Sequence, residues 1–264
     1  MVSLSPFAQW CVMKHVKERG ITVLLDGQGS DEMLAGYGYD SLFWADLLRR
    51  GQLSSLVQEI HSSLTHSLLR TLKRTGRMLF PQGVQYWELT AKNRSFLSQD
   101  FLEQFKGLPM PIKHKYPGYL KNELYNLFHY RLLSLLHYED RNSMAFSIES
   151  RLPFLDYSLV EYVFSLTDSL LINQAWSKWI LRQAMVGVLP RQIQWRKDIM
   201  GFVTPLDLWF KTDLAPFIRE LFHDSAFANR PYWKAPQVIQ AYELYLKGYN
   251  PIFQHWLWRL INLE

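Results

Sequence analysis

Cysteine is almost missing from the 264 residues: Cys11 stands alone, so no internal disulfide can form and no cysteine-based structural zinc site can be built. Long apolar runs are missing too. The longest stretch free of Asp, Glu, Lys and Arg runs from Met1 to Met13, short of the roughly 18 apolar residues that a membrane-spanning helix needs and lacking the basic start of a signal peptide. No sign of charge dominates: 29 Lys plus Arg against 24 Asp plus Glu give a net +5, spread along the chain, so neither nucleic acid nor a membrane is an expected partner. A reducing cytoplasm is the expected compartment. Gly-Gly pairs and the Gly-Lys-Ser or Gly-Lys-Thr phosphate loop do not occur, and the dinucleotide pattern Gly-x-Gly-x-x-Gly fails where Glu32 takes its third glycine position. What is present is 48% hydrophobic and 15% aromatic residues, enough apolar material for one large domain or two small ones and too much for a disordered chain.

Ser5-Pro6 opens a helical pattern that carries Phe7, Trp10, Met13 and Val16 and closes at Gly20. Ile21 to Leu25 is a short β-branched and apolar run that suits a buried strand of a parallel sheet. A tight turn, Asp26-Gly27-Gln28-Gly29-Ser30-Asp31-Glu32, leads into a second helix start. From Ser41 to Arg77 the pattern predicts a helical pair broken near Gly51, with Leu53, Leu56, Val57 and Ile60 on its apolar face. Phe80 to Tyr119, with Pro81, Pro109, Pro111 and Pro117, reads as loop-rich. Leu124 to Leu136 gives a strong helical stripe, and further helices are predicted over Tyr157 to Leu166, Gln174 to Val186, Pro205 to Phe210 and Pro236 to Lys247.

Three clusters could carry chemistry. In the first, Gly27, Gln28, Gly29 and Ser30 form a turn whose glycines let a ligand approach the backbone, while the N–H groups of the following helix favour an anion. Asp31 and Glu32 offer carboxylates to Mg²⁺, which takes one or two of them and keeps phosphate oxygens as further ligands. The plainer alternative is a simple strand-to-helix turn with Asp31 as the helix cap. The second cluster, Glu139 to Ser143 and Glu149 to Asp156, places charge where the flanks read as core; it is either a site or an ion-pair network of Asp140 or Glu149 with Arg141 or Arg151. The third, Trp195-Arg196-Lys197-Asp198-Ile199-Met200-Gly201-Phe202, reads by itself as a solvated basic loop. His61, His66 and His137 have no partner at metal-ligand spacing, and the tryptophans are read as packing.

In this order the clusters resemble the synthetase domain of the glutamine-dependent asparagine synthetases. Val23 to Tyr37 is similar to the family's strand-turn-helix motif at the ATP site, Tyr138 to Asp156 to its most recognisable stretch, and Lys178-Trp179-Ile180-Leu181-Arg182 with Arg196 to Phe202 and Pro205 to its late helix and substrate loop. The resemblance implies a predominantly helical α/β fold, a Rossmann-like domain of the adenine nucleotide α-hydrolase type truncated at its N-terminal side. Residues 1–40 would hold the strand-turn-helix of the nucleotide site, 41–120 a helical and loop-rich region, and 121–264 a helical substrate-side region.

It also implies ATP-dependent conversion of aspartate or a related carboxylate to its amide through an acyl-adenylate, with ATP and Mg²⁺ required. By that resemblance Gly27, Gln28, Gly29 and Ser30 lie against the nucleotide and Asp31 helps to hold Mg²⁺. Glu149 and Arg151 line the acid or ammonia side, and Lys197 with Arg196 stabilises the adenylate. The family's pyrophosphate loop, Ser-Gly-Gly-x-Asp-Ser, has no counterpart here, Ile199 stands where the family usually has Lys, and Gln28 where many members have Glu. The glutaminase domain is also lacking. The expected partners are therefore a polypeptide carrying the pyrophosphate loop and a glutaminase domain on another chain that supplies ammonia. A catalytically degenerate domain that binds such a partner is the alternative.

Overall fold

A computed structural model describes residues 4–63, 68–78, 96–104, 115–197, 201–202, 204–249 and 254–263. Phe80, Pro81, Pro109, Pro111, His66 and Ile199 lie outside the described residues. The chain divides into two compact units, one of Val12–Gln85 with Pro111–Ile199 and the other of Met1–Cys11, Tyr86–Met110 and Met200–Glu264.

Helix α1 (Ser5–Glu18) starts at Ser5-Pro6 and ends before Gly20, whose φ of 74° turns the chain out of the helix. Strand β1 (Val23–Leu25) follows, then the four-residue α2 (Ser30–Met33), α3 (Asp40–Arg49), α4 (Leu53–Ser62) and α5 (Leu68–Met78). After α6 (Gln99–Gln104) come α7 (Tyr119–Asn126), a π-helical turn over Leu127–Arg131, and α8 (Leu132–Met144). Strand β2 (Glu149–Arg151) leads to α9 (Tyr157–Ser165), capped by the Asp156 side chain, and to α10 (Asp168–Leu171). A two-residue hairpin, β3 (Ile172–Asn173) and β4 (Trp176–Ser177), precedes α11 (Trp179–Ala184) and α12 (Arg191–Gln194).

In the first unit Met33, Leu34, Phe43, Trp44, Leu47, Leu56, Leu120, Leu124, Val163, Leu171 and Ile172 are buried together. The stripe read from Leu124 onward thus does enter a core. The apolar face of α4 is narrower than its periodicity suggests: Leu56 is buried, but Leu53 and Val57 are exposed. Gln174 and Ala175, expected within a helix, instead adopt left-handed conformations (φ 51° and 58°) in the β3–β4 turn, and the helix begins only at Trp179. Glu59 explains the turn, because its two carboxylate oxygens accept the Gln174 and Ala175 N–H groups at 2.7 and 2.9 Å. A nonlocal carboxylate here overrides local helix propensity.

Strands β1 and β2 pair in parallel, Val23 with Glu149, Leu24 with Ser150 and Leu25 with Arg151. The strand expected to be buried is open on one face, with Val23 40% and Leu25 73% exposed. Among the described residues β2 is the one strand paired with it.

The other unit is helical: α13 (Leu206–Lys211), α14 (Ala215–His223), α15 (Ser225–Ala228), α16 (Ala235–Leu246) and α17 (Gln254–Leu263). Its core joins Phe210, Ile218, Phe222, Phe227, Val238, Tyr242, Tyr245 and Leu257. The two buried tyrosines keep their hydroxyls satisfied, Tyr242 donating to the Phe210 carbonyl at 2.9 Å and Tyr245 to the Asp207 carboxylate at 2.6 Å. Among the described residues no helix is long and apolar enough to cross a membrane.

Asp46, fully buried in α3, accepts the N–H groups of Tyr119 and Leu120 at 2.8 and 2.9 Å and so caps α7 from another helix. Asp46→Ala leaves both donors without this acceptor and should lower the unfolding free energy by about 1–3 kcal/mol in urea titrations. Asp46→Asn, which keeps one acceptor, should cost less. Burial, with Asp168 adding to it, raises the Asp46 carboxyl against the opposing pull of the two N–H groups and Arg50. The associated stability is complete below the unfolded-state value and fades as pH rises through the folded one. The deficit of Asp46→Asn relative to wild type should therefore shrink as pH is raised from about 4.

Candidate functional site

The turn after β1 is built by its own polar groups. The Asp26 N–H extends the ladder by donating to the Arg151 carbonyl at 2.9 Å, and its Oδ1 accepts the Gln28 N–H at 3.0 Å. Gly29 then takes φ 91° as the residue before α2. A Cβ there would lie 2.3 Å from Leu155 Cδ2, so glycine is needed both for the conformation and for close packing.

Asp31 does not cap α2; no side chain does. Its Oδ1 instead meets Lys178 Nζ at 2.7 Å, the two side chains being 31% and 17% exposed. That oxygen is buried and receives no aligned hydrogen bond, which makes the contact one of charge. Lys178 also donates to Ser30 Oγ at 3.1 Å, and its backbone N–H donates to the Leu34 carbonyl at 3.0 Å. With φ 54° it stands in the left-handed region at the start of α11. Glu32, the other carboxylate of the turn, is buried and accepts the Tyr37 hydroxyl at 2.6 Å, while the Arg131 guanidinium, carried by the π-helical turn, lies 5.4 Å over the Tyr37 ring. Asp31 is thus the turn's carboxylate that faces a cation.

Glu149 and Arg151 occupy alternate positions of β2, beside Val23 and Leu25 on the open face of the sheet. Each is 60% exposed and they pair with one another at 2.8 Å, so of the ion pairs expected from sequence Glu149–Arg151 forms, within one strand. On the opposite face Ser150 donates to buried Glu139 at 2.7 Å. Burial raises the Glu139 carboxyl, nearby Asp26 adds to the effect, and bonds from Ser150 and Gln28 oppose it.

The basic segment is anchored where it is described. Trp195 packs edge-on against Trp176 at 5.2 Å, and Lys197 Nζ lies 4.3 Å over the Trp176 ring. Arg182 holds the Arg196 carbonyl at 3.2 Å, the Ser177 carbonyl at 2.8 Å and the Gln194 carbonyl. Lys197 therefore sits on a residue two positions before Lys178, and Lys178 is on Asp31. Asp198, Ile199 and Met200 lie outside the described residues.

Of the residues singled out from sequence, the structure puts Gly27, Gln28, Gly29, Ser30 and Asp31 on one turn. Glu149 and Arg151 lie in the strand paired beside it, and Arg196 and Lys197 beside the hairpin that delivers Lys178. Lys178 and Gly36, which lie against Asp31, were not singled out from sequence as candidate site residues. Periodicity had placed Lys178 inside a helix, and no local signal reports the turn that redirects it. Gly36 is read from packing alone: a Cβ there would come within 1.7 Å of Asp31 Oδ1 and 2.8 Å of the Asp31 Cα.

Mg²⁺ that arrives on a nucleotide needs one or two protein carboxylates, with phosphate and water oxygens completing its shell. Asp31, with a buried oxygen held only by a lysine ammonium, fits that requirement. Among the described residues no group of three or more His, Cys, Asp or Glu could hold a metal by itself.

Gly36→Ala should lower the unfolding free energy by about 1–3 kcal/mol because the new methyl overpacks against backbone as well as the Asp31 carboxylate. A Cβ on Gly27 meets nothing within 4 Å, so Gly27→Ala should stay within about 0.5 kcal/mol of wild type in the same denaturant titration.

The family model described as asparagine synthase matches residues 1–264. Three curated proteins of Bacillus subtilis (strain 168) are similar. Asparagine synthetase [glutamine-hydrolyzing] 1 is 23% identical over 84% of this chain and 37% of its own length. Asparagine synthetase [glutamine-hydrolyzing] 2 is 30% identical over 69% of this chain and 22% of its own. Asparagine synthetase [glutamine-hydrolyzing] 3 is 42% identical over 25% of this chain and 11% of its own. The matches thus span little more than a third of the length of these relatives at most, and no solved structure matches. With the family model covering the chain from end to end, the chain belongs to the asparagine synthase family.

Proposed function

We propose that this chain is the adenylating part of an ATP-dependent amide ligase. A carboxylate oxygen of aspartate or a related acid attacks the α-phosphorus of ATP; the bond to the bridging oxygen breaks and pyrophosphate leaves with the electron pair. Ammonia then attacks the acyl carbon, loses a proton, and AMP departs with the electrons of the acyl–oxygen bond. The observation that carries this reading is the meeting of the β1–α2 turn and Lys178 at Asp31, with β2 paired beside the strand that leads into the turn.

Each group has a physical reason to act as proposed. Backbone at Gly27, Gln28 and Gly29 admits close approach of a phosphate, and Ser30 offers its N–H at the start of the helix. Lys178 and Lys197, with Arg196, offset the charge that develops on the departing pyrophosphate. Asp31 would hold Mg²⁺, and Mg²⁺ when bound neutralises phosphate charge. Arg151 presents a guanidinium suited to a carboxylate, and Glu149 an acceptor for an ammonium or ammonia. The parallel pair β1–β2, with the phosphate-binding turn at its C-terminal end, is consistent with a Rossmann-like sheet of which these are two strands.

The open strand supports a partner polypeptide. Parallel strands are ordinarily covered on both faces, yet Ile21, Val23 and Leu25 are exposed. We read this as the surface on which a segment carrying the pyrophosphate loop docks, with ammonia supplied by a glutaminase domain on another chain. The same exposed strand favours a second reading, in which the domain has kept assembly and lost chemistry.

Aspartate-dependent exchange of labelled pyrophosphate into ATP separates the two. It should appear when a segment bearing the pyrophosphate loop is added to the chain, and fall by about tenfold or more in Lys178→Met, the loss expected for one charge-assisted contact to a phosphate. Association of the two pieces without exchange would leave the assembly reading. Gly27→Ala should weaken Mg-ATP binding by calorimetry while its fold stays intact.

A further inference from the structure

Behind the β3–β4 hairpin lies a cavity of about 260 Å³ with a wall of mixed character, lined mostly by polar residues. Phe43 and Leu47 form its apolar floor, and Arg50, Gln58, Glu59, Asp168, Ser169 and Asn173 are among the polar residues around it. None of these residues belongs to the nucleotide turn, to β2 or to the basic segment. The cavity is smaller than the roughly 300–1,000 Å³ of drug-sized pockets and much larger than the roughly 30 Å³ share of one water, which sets its ligand at the size of a free amino acid.

The bonding of the wall specifies the ligand's chemistry. Arg50 Nη2 donates to Asp168 Oδ2 at 2.6 Å, and the guanidinium has further donors to offer. Asp168 is 3% exposed, and its second oxygen, Oδ1, is buried with no hydrogen-bond partner. An orphaned buried carboxylate oxygen costs free energy that a bound donor would recover. Both oxygens of Glu59, by contrast, are committed to backbone N–H groups. The wall therefore lacks one donor and has spare donors beside it. A simple anion meets the charges of Asp168 and Glu59, and a simple cation meets Arg50. A neutral molecule with an ammonium and a carboxylate close together satisfies both groups at once. Asp168 lines the cavity together with Arg50, and the terminal torsion of its carboxylate is soft.

The position of the cavity gives such binding a consequence. Glu59 and Asn173, both in its wall, hold the turn and first strand of the hairpin, and the second strand leads directly to Trp176, which supports Lys197, and to Lys178 on Asp31. We propose that this cavity binds a neutral α-amino acid, its carboxylate on Arg50 and its ammonium on Asp168, and that occupancy bears on the placement of Lys178 through the β3–β4 hairpin. The binding site stands independently of the adenylation reading; only the significance of the link to Lys178 rests on it.

Isothermal titration of the full chain with L-asparagine, L-glutamine and L-serine, and with succinate and 1,4-diaminobutane as singly signed controls, tests the assignment. At least one amino acid should bind and neither control should. Arg50→Met should weaken binding by about tenfold or more, as loss of a charge-assisted bond requires. Because Arg50→Met leaves Asp168 without its cation and can unfold the chain, Ser55→Phe, which fills the cavity from the exposed face of α4 and keeps the ion pair, provides the second variant. It should abolish binding with circular dichroism unchanged. Failure of all three amino acids to bind, or binding retained in either folded cavity variant, would overturn the proposal. Mg-ATP titrated in parallel distinguishes this from failure of the adenylation reading, because a chain that binds no nucleotide but still takes the amino acid refutes only the latter.

Discussion

An ammonium and a carboxylate 2.7 Å apart, each less than a third exposed, join the β1–α2 turn to the hairpin. Asp31 comes from the first turn of a helix only four residues long, and Lys178 from a left-handed residue at the start of another short helix. Neither element has length enough to fix its own orientation. Removal of one partner leaves the other as an uncompensated charge in a site largely shielded from water, which is costly even where the intact pair contributes little net stability. The β1–α2 turn, the tryptophan pair and the basic segment are therefore arranged relative to one another largely through this contact and the backbone bond from Lys178 to Leu34.

The packing around the pair shows how tightly it is specified. The Asp31 carboxylate rests against the bare Cα of Gly36, and Gly29 is closed over by Leu155 from the segment after β2. Glu32 is turned away to Tyr37, itself covered by Arg131. One carboxylate of an adjacent acidic pair thus meets a tyrosine hydroxyl and the other a lysine ammonium. The division follows from which partner each can reach.

Much of this was legible in the sequence because the signals were local. Ser5-Pro6 and Gly20 mark the ends of α1, and the β-branched run marks β1 to within two residues. The glycine spacing marks the turn. Features set by distant partners were not legible. Residues 174 to 177 have a helical pattern, and only Glu59, 115 residues away, turns them into a hairpin. Leu53 and Val57 have core periodicity, yet nothing packs over them. Glu149-Ser150-Arg151 has no strand signal of its own and becomes one by pairing with β1. Lys178 follows the same rule, since its role depends on a turn that its neighbours do not encode.

The clamp of Asp46 on α7 spans 73 residues of sequence, and the chain between its two ends includes Tyr86–Met110, which belongs to the other compact unit. The entropy of closing a flexible loop grows only with the logarithm of its length, about 0.6 kcal/mol for each doubling. Two hydrogen bonds to one carboxylate are of the size needed to hold such a closure whatever its contour. The first unit can therefore tolerate a long excursion between its halves, and a change in the length of the intervening segment should cost it little stability.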